Sequence, residues 1–182
     1  MSFGFEKLTK ELDCIKCAIR HARSKEVVLF AAARNNGGSM EIAYPANHSD
    51  VICINSTDGD GNSSPFNPSR KEGKDFSTLG EGIVSHSDPA KCMSGTSYAT
   101  PIAAGMAAAV MDYMTQKSRG WPDYETHRYE AERIKTKDGI IAVFNTHFSD
   151  RRGDFKYLLP WKFFKKGGVG FDMVLLYTLQ NL

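Results

Sequence analysis

The sequence predicts an α/β domain built around a parallel sheet, and three observations carry that prediction. Two short, nearly continuous apolar runs, EVVLFAAA (Glu26–Ala33) and DVICINS (Asp50–Ser56), suit strands buried on both faces. An amphipathic segment precedes the first run. An Ala-rich segment, apolar on most sides, follows the second. Strands and helices in alternation argue for a parallel sheet covered by helices.

Each element has its own warrant. Leu8, Leu12, Ile15 and Ile19 recur at spacings of three and four, which predicts a helix over Glu6–Arg23. ARNNGGS, from Ala33, ends the first strand with Asn and Gly. TDGDGNSSPFNPS, from Thr57, reads as a polar loop after the second strand. DFSTLGEGIVSHS offers a third, weaker strand around Gly82–Ser85. The run from Ser97 to about Gln116 predicts a buried helix, with Pro101 in its first turns, where proline is tolerated.

Composition shifts after Lys117. A charged connector, a short apolar element IIAVFNTHF, the segment FKYLLPWKFFKK and the tail GGVGFDMVLLYTLQNL follow. This divides the chain into 1–117 and an extension, 118–182, of undetermined fold. The aromatic and lysine mixture of FKYLLPWKFFKK suits a covering segment with snorkelling lysines better than a nucleic-acid or membrane patch.

The 182 residues suffice for one domain with a sizeable core. A net charge of +2 gives no strong field toward nucleic acid or membrane, and no run reaches the length of a membrane span. Met1–Glu6 lacks the basic start and apolar core of a signal peptide. It looks like the end of a buried strand, with the expectation that the true start lies upstream. Asn47, Asn55 and Asn62 head glycosylation triplets, but nothing in the sequence assigns a compartment.

Cysteines and acidic residues raise metal chemistry. Cys14 and Cys17 form a C-x-x-C, while Cys53 and Cys92 stand alone. A zinc site would need two more closely spaced ligands, and a redox pair would sit at a helix start after a strand. Small fillers on a packed helix are the expected role. Asp58, Asp60 and Asn62 have the spacing of an EF-hand's first ligands, but Ser63 and Ser69 replace the required Gly and Glu. A turn is expected there. No cofactor and no metal site is expected.

SGTSYATPIAAG (Ser94–Gly105) is the least ordinary stretch. Ser97 stands after Gly95 and Thr96 where a helix begins, so its backbone N–H lies at the positive end of the helix. On position alone Ser97 is a helix cap. The hydrolase word G-x-S-x-G does not fit, because this stretch reads G-T-S-Y-A.

The full word, Ser94 to Pro101 followed by Ala103-Ala104-Gly105, closely resembles the nucleophile segment of the subtilisin-like serine peptidases. The resemblance extends through FAAARNNGG, AYPANHSDVICIN, DFSTLGEGIVS and MSFG, in family order over about residues 1–116. It implies a three-layer, parallel-sheet subtilisin-like fold, represented by its C-terminal half. It implies a serine endopeptidase acting on polypeptide, with Ser97 as nucleophile and Asn35 as an oxyanion donor. Ser2, Phe3 and Gly4 would line the substrate cleft, with Ala33 and Arg34 beside Asn35. Arg34 departs from the family, which usually has a small residue there. That change implies a narrowed pocket, a preference for an acidic substrate side chain, or an arginine turned to solvent.

The family's Asp and His words, D-[ST]-G and H-G-T, are missing from this chain. His21, His48, His86, His127 and His147 are each expected to be structural. The implied partner is the N-terminal half of the catalytic domain, and this chain alone is expected to be inactive. The alternative is a non-catalytic remnant or interaction module.

Overall fold

The computed structural model describes residues 1–69, 75–118, 120, 124–165 and 171–182. In chain order the elements begin with a 3₁₀ turn (Lys10–Leu12) running into α1 (Asp13–Ser24), then β1 (Leu29–Ala32), β2 (Val51–Thr57) and β3 (Phe76–Leu79). A small hairpin follows, β4 (Ile83–Val84) with β5 (Cys92–Met93), and then the long α2 (Thr96–Ser118). The chain closes with α3 (Tyr124–Arg133), α4 (Lys137–Val143), a π-helical turn (Phe144–Phe148), β6 (Ser149–Arg152), β7 (Phe155–Leu158), α5 (Pro160–Lys165) and α6 (Phe171–Gln180).

The architecture is α/β with a mainly parallel sheet, as the sequence predicts. Its strand order is β1-β2-β3-β7-β6. The first four of these run parallel, and β6 adds to the edge antiparallel to β7. Leu29–Ala32 and Val51–Ile54 are apolar at every position, which suits burial on both faces, while Asn55, Ser56 and Thr57 at the end of β2 are polar and also buried. Phe30, Ile52 and Ile54 join the core under α2, with Ala99, Ala103, Ala107, Val110 and Met114. Ala31, Ala33, Val51 and Cys53 face the other way, against Ile19 of α1. Period-two alternation thus feeds two cores, giving three layers.

The segment after Lys117 completes this sheet and its main core. β7 pairs with β3, matching Phe76 to Lys156 and Ser77 to Tyr157. Phe144 is fully buried and packs on Phe30, Phe76 and Phe148 with ring centroids 6.3, 5.6 and 5.4 Å apart. The change of composition is therefore a change of surface, and the core continues beneath it. FKYLLPWKFFKK covers that core with Tyr157, Leu158 and Phe163, all buried. Two of its lysines are engaged: Lys156 pairs with Asp75 at 3.3 Å, and Lys162 pairs with Asp150. The glycine break at 167–170 lies outside the described residues. Among the described residues no helix is long and apolar enough to cross a membrane.

Three expectations, on the third strand, the first helix and the cysteine pair, need correction, and one glycosylation triplet is excluded. The third sheet strand is Phe76–Leu79, whereas Ile83–Val84 forms only the two-residue hairpin with Cys92–Met93. The helix expected from Glu6 starts at Asp13 after the 3₁₀ turn, leaving Leu8 exposed. Cys14 and Cys17 are exposed on α1, not packed, and Arg20 Nη2 lies 3.3 Å from Cys17 Sγ. Asn55 is buried in β2, where no glycan fits.

The acidic loop has a local explanation. Asp58 Oδ1 accepts from the backbone N–H of Asp60 (2.9 Å) and Asn62 (2.8 Å), and Oδ2 accepts from Asn62 Nδ2 (2.9 Å). The Asp-x-Asp-x-Asn spacing therefore closes a side-chain-capped turn.

Candidate active site

The carboxyl end of β1 and the first turn of α2 meet at one point. Asn35 follows β1, and Ser97 is the second residue of α2. Asn35 Oδ1 accepts hydrogen bonds from Thr96 N–H (2.8 Å) and from Thr96 Oγ1 (3.0 Å). A backbone N–H can only donate, so the atom facing it must be the amide oxygen. The Asn35 NH₂ therefore points away from Thr96, and it has no acceptor among the described residues. Gly95 makes room for it: at φ +154°, a Cβ on Gly95 would lie 3.1 Å from Asn35 Nδ2.

The first N–H groups of a helix have no partner within it. Thr96 N–H is taken by Asn35, whereas Ser97 N–H has no hydrogen bond among the described residues. The site thus presents two unspent donors, Ser97 N–H and Asn35 Nδ2, at the positive end of a 23-residue helix. Such a pair suits negative charge developing on an oxygen beside Ser97.

Residues 1–5 form the other wall. Met1 is in the register of a parallel strand beside β1: its amino group donates to Phe30 O (2.6 Å) and its carbonyl accepts from Ala32 N–H (3.0 Å). Phe5 and Tyr44 exchange two backbone hydrogen bonds at 2.7 and 2.9 Å. Between these anchors Ser2 clasps Ser97. Ser2 Oγ donates to Ser97 O at 3.1 Å, and Ser97 Oγ donates to Ser2 O at 3.4 Å.

Pro101 explains the first of these contacts. It lies inside α2 and lacks the N–H that would bond the carbonyl four residues back, which is that of Ser97. The freed Ser97 carbonyl accepts from Ser2 instead.

A cleft of about 350 Å³ lies between these walls, lined by Ser2, Phe3, Gly4, Arg34, Asn35 and Ser97 among others. Six of the seven residues singled out from the sequence thus come together. Ala33 does not line the cleft. It is fully buried in the sheet, bonded through its N–H to Ile54 O and through its carbonyl to Ala43 N–H, both at 3.0 Å. Arg34 does not turn to solvent: its side chain is 10% exposed and Nη2 donates to Glu6 Oε1 at 2.6 Å. Sequence reasoning missed Glu6 and Ala43, which also line the cleft. An ion pair 28 residues apart leaves no local pattern to read.

No histidine reaches Ser97, whose hydroxyl has only Ser2 O as partner among the described residues. His48 Nδ1 accepts from Asp50 N–H, and His147 Nε2 meets Thr178 Oγ1 at 2.9 Å. His21 and His86 are exposed, and His127 lies on α3.

Comparison with known proteins fits this geometry. A family model described as the subtilase family matches residues 1–145. The subtilisin-like protease het-Q2 of Podospora anserina is 28% identical over 126 residues, covering 64% of this chain and 34% of that protein. Subtilisin BL of Lederbergia lenta is 30% identical over 116 residues, covering 62% and 40%. The chain therefore spans well under half the length of these curated relatives. Among solved structures, the patellamide maturation protease PatA superposes with a TM-score of 0.64 at 23% identity, covering 91% of this chain and 60% of that one. The prenylagaramide maturation protease PagA gives 0.64 at 19% identity, covering 90% and 57%.

Proposed function

This chain belongs to the subtilase family, and on that premise we propose that it carries the nucleophile and oxyanion half of a serine endopeptidase. Ser97 Oγ attacks the scissile carbonyl carbon of a polypeptide. The carbonyl oxygen takes the negative charge, held by Ser97 N–H and Asn35 Nδ2. The hydroxyl proton passes to an imidazole, with its carboxylate partner, supplied by polypeptide outside these 182 residues. Ser2, Phe3 and Gly4 offer backbone to the substrate, and Ala33 supports the wall from within the sheet.

The observation that carries this reading is the orientation of Asn35. Thr96 holds its oxygen, which leaves its NH₂ facing away from Thr96 and without an acceptor among the described residues.

A serine-reactive phosphonate tests it. The 182-residue chain alone is expected to resist labelling, and addition of a polypeptide carrying the family's Asp and His words is expected to restore labelling at Ser97. Labelling of the chain alone refutes the external base. Continued resistance after complementation by a segment shown to bind refutes Ser97 as nucleophile. One observation favours the second reading, a non-catalytic interaction module: Ser97 Oγ donates to the Ser2 carbonyl and to no base.

A further inference from the structure

Arg34 lines the same cleft, yet neither the oxyanion geometry nor the fold has a use for it. Its neighbour in sequence, Asn35, holds the carbonyl oxygen in the reading above. Arg34, Asn35 and Ser97 line one cleft, so in that reading the side chain of the same substrate residue comes within reach of Arg34. The wall opposite is closely packed, since a Cβ on Gly4 would meet Ala43 Cβ at 2.7 Å, and Ser2, Asn35, Asn36, Thr96 and Ser97 line the rest with neutral polar groups. Phe3 and Phe5 stand at the mouth, 48% and 38% exposed, with their rings 6.0 Å apart. Among the described residues that line the cleft, Arg34 is the one cationic side chain.

The burial is asymmetric. Arg34's side chain is 10% exposed, whereas that of its partner Glu6 is 70% exposed. A guanidinium has five donors, and one hydrogen bond, to Glu6 Oε1, engages it. Arg34 lines the cleft, and among the described residues its remaining donors have no other partner. Burial of a cation with one partner costs desolvation that a second carboxylate offsets. Planar, forked donors match a carboxylate in two-point geometry. Glu6 competes for them, but an exposed carboxylate returns to water at little cost.

We propose that Arg34 selects an acidic side chain on the polypeptide substrate, at the residue whose carbonyl Ser97 and Asn35 hold, with Glu6 as the resident counter-ion that this side chain displaces. The proposal rests on the catalytic reading for the position of that residue. Its test is binding, which needs no catalytic base.

The ligands are acetyl-Ala-Ala-Ala-Glu amide and its isosteric Gln counterpart, titrated into the full chain by NMR. The Glu peptide is expected to bind about tenfold more tightly, the scale of one charge-assisted hydrogen-bonded pair discounted for competition by Glu6. Arg34→Gln removes the difference and leaves the Gln peptide's affinity within about twofold. Glu6→Gln strengthens Glu-peptide binding alone. Equal affinity for both peptides, no binding of either, or a preference that survives Arg34→Gln overturns the proposal. A gain for both peptides in Glu6→Gln shows that the ion pair merely plugs the cleft, and also overturns it. Should Arg34→Gln fail to fold, the Glu6→Gln arm still decides. Ser97→Ala must keep the preference, which separates this result from the labelling of Ser97.

Discussion

Asn35→Ala and Asn35→Asp separate the two jobs assigned to one amide. The alanine variant removes the acceptor of two hydrogen bonds, from Thr96 N–H at 2.8 Å and Thr96 Oγ1 at 3.0 Å. Thr96 is fully buried, so its donors lose a partner that water replaces poorly. At about 1 kcal/mol for each neutral hydrogen bond, the expected loss is about 2 kcal/mol of stability. The aspartate variant keeps an acceptor at the same place and adds negative charge at the start of α2, which the helix favours. Its stability should match the parent within about 0.5 kcal/mol. It nevertheless lacks the NH₂, so in a complemented enzyme both variants should lose about 10²–10³ in kcat. Urea unfolding followed by circular dichroism measures the first effect, and turnover the second. An alanine variant as stable as the parent refutes the claim that Thr96 orients Asn35. An aspartate variant with parental turnover refutes the oxyanion role.

Three further outcomes follow from the packing and the turns. Phe144→Ala should cost about 3–5 kcal/mol in urea unfolding, because the ring is fully buried among three others; a cost under about 1 kcal/mol would mean that the chain after Lys117 does not share the main core. Pro101→Ala restores the N–H that can claim the Ser97 carbonyl. Ser2→Ala, worth about 0.5–1 kcal/mol in the parent, should therefore become neutral in the Pro101→Ala background, and an unchanged cost in that double-mutant cycle refutes the competition. Asp58 should titrate below the ordinary carboxylate range, because the Asn62 side chain and then its backbone N–H favour the ionised form. The stability this confers is present above the ordinary aspartate pKa and is lost as pH falls through the depressed one; NMR titration checks it, and Asn62→Ala should move the Asp58 pKa upward.

The legible parts of the fold are those whose burial is simple. Glu26–Ala33 and Asp50–Ser56 declare themselves because each holds an unbroken apolar run of four or more residues, Val27–Ala33 and Val51–Ile54, before any polar residue intervenes. Phe76–Leu79 does not, since its buried residues include Ser77 and Thr78 at 0% and 1% exposure. Polar residues in a covered strand erase the apolar run on which strand recognition depends. After Lys117 the obstacle is periodicity. Phe144, Phe148 and Phe163 build one aromatic stack, but a π-helical turn carries the first two and a separate helix the third. No 3.6-residue rhythm joins them. At the site, Ser97 and Asn35 were legible through a long motif, and the structure adds what a motif cannot hold. The Ser2 contacts, the pairing of Arg34 with Glu6 and the burial of Ala33 all join residues distant in sequence.

The geometry also assigns different requirements to the two halves of the chemistry. In the proposed reading the oxyanion donors need orientation, which one helical turn and one strand end would supply through Thr96, Gly95 and the α2 dipole. These groups are fixed before any substrate arrives, which is the condition under which such donors stabilise charge without reorganising. Activating the hydroxyl needs a base within hydrogen-bond reach, and Ser97 Oγ spends its proton on the Ser2 carbonyl at 3.4 Å. That contact is long for an O–H···O bond, so an imidazole offering a normal distance displaces it readily. The same Ser2 hydroxyl holds the Ser97 carbonyl that Pro101 releases, so the serine backbone stays clamped while its side chain remains available. The proline that weakens α2 as a helix therefore strengthens the cleft wall as a reference point for the nucleophile.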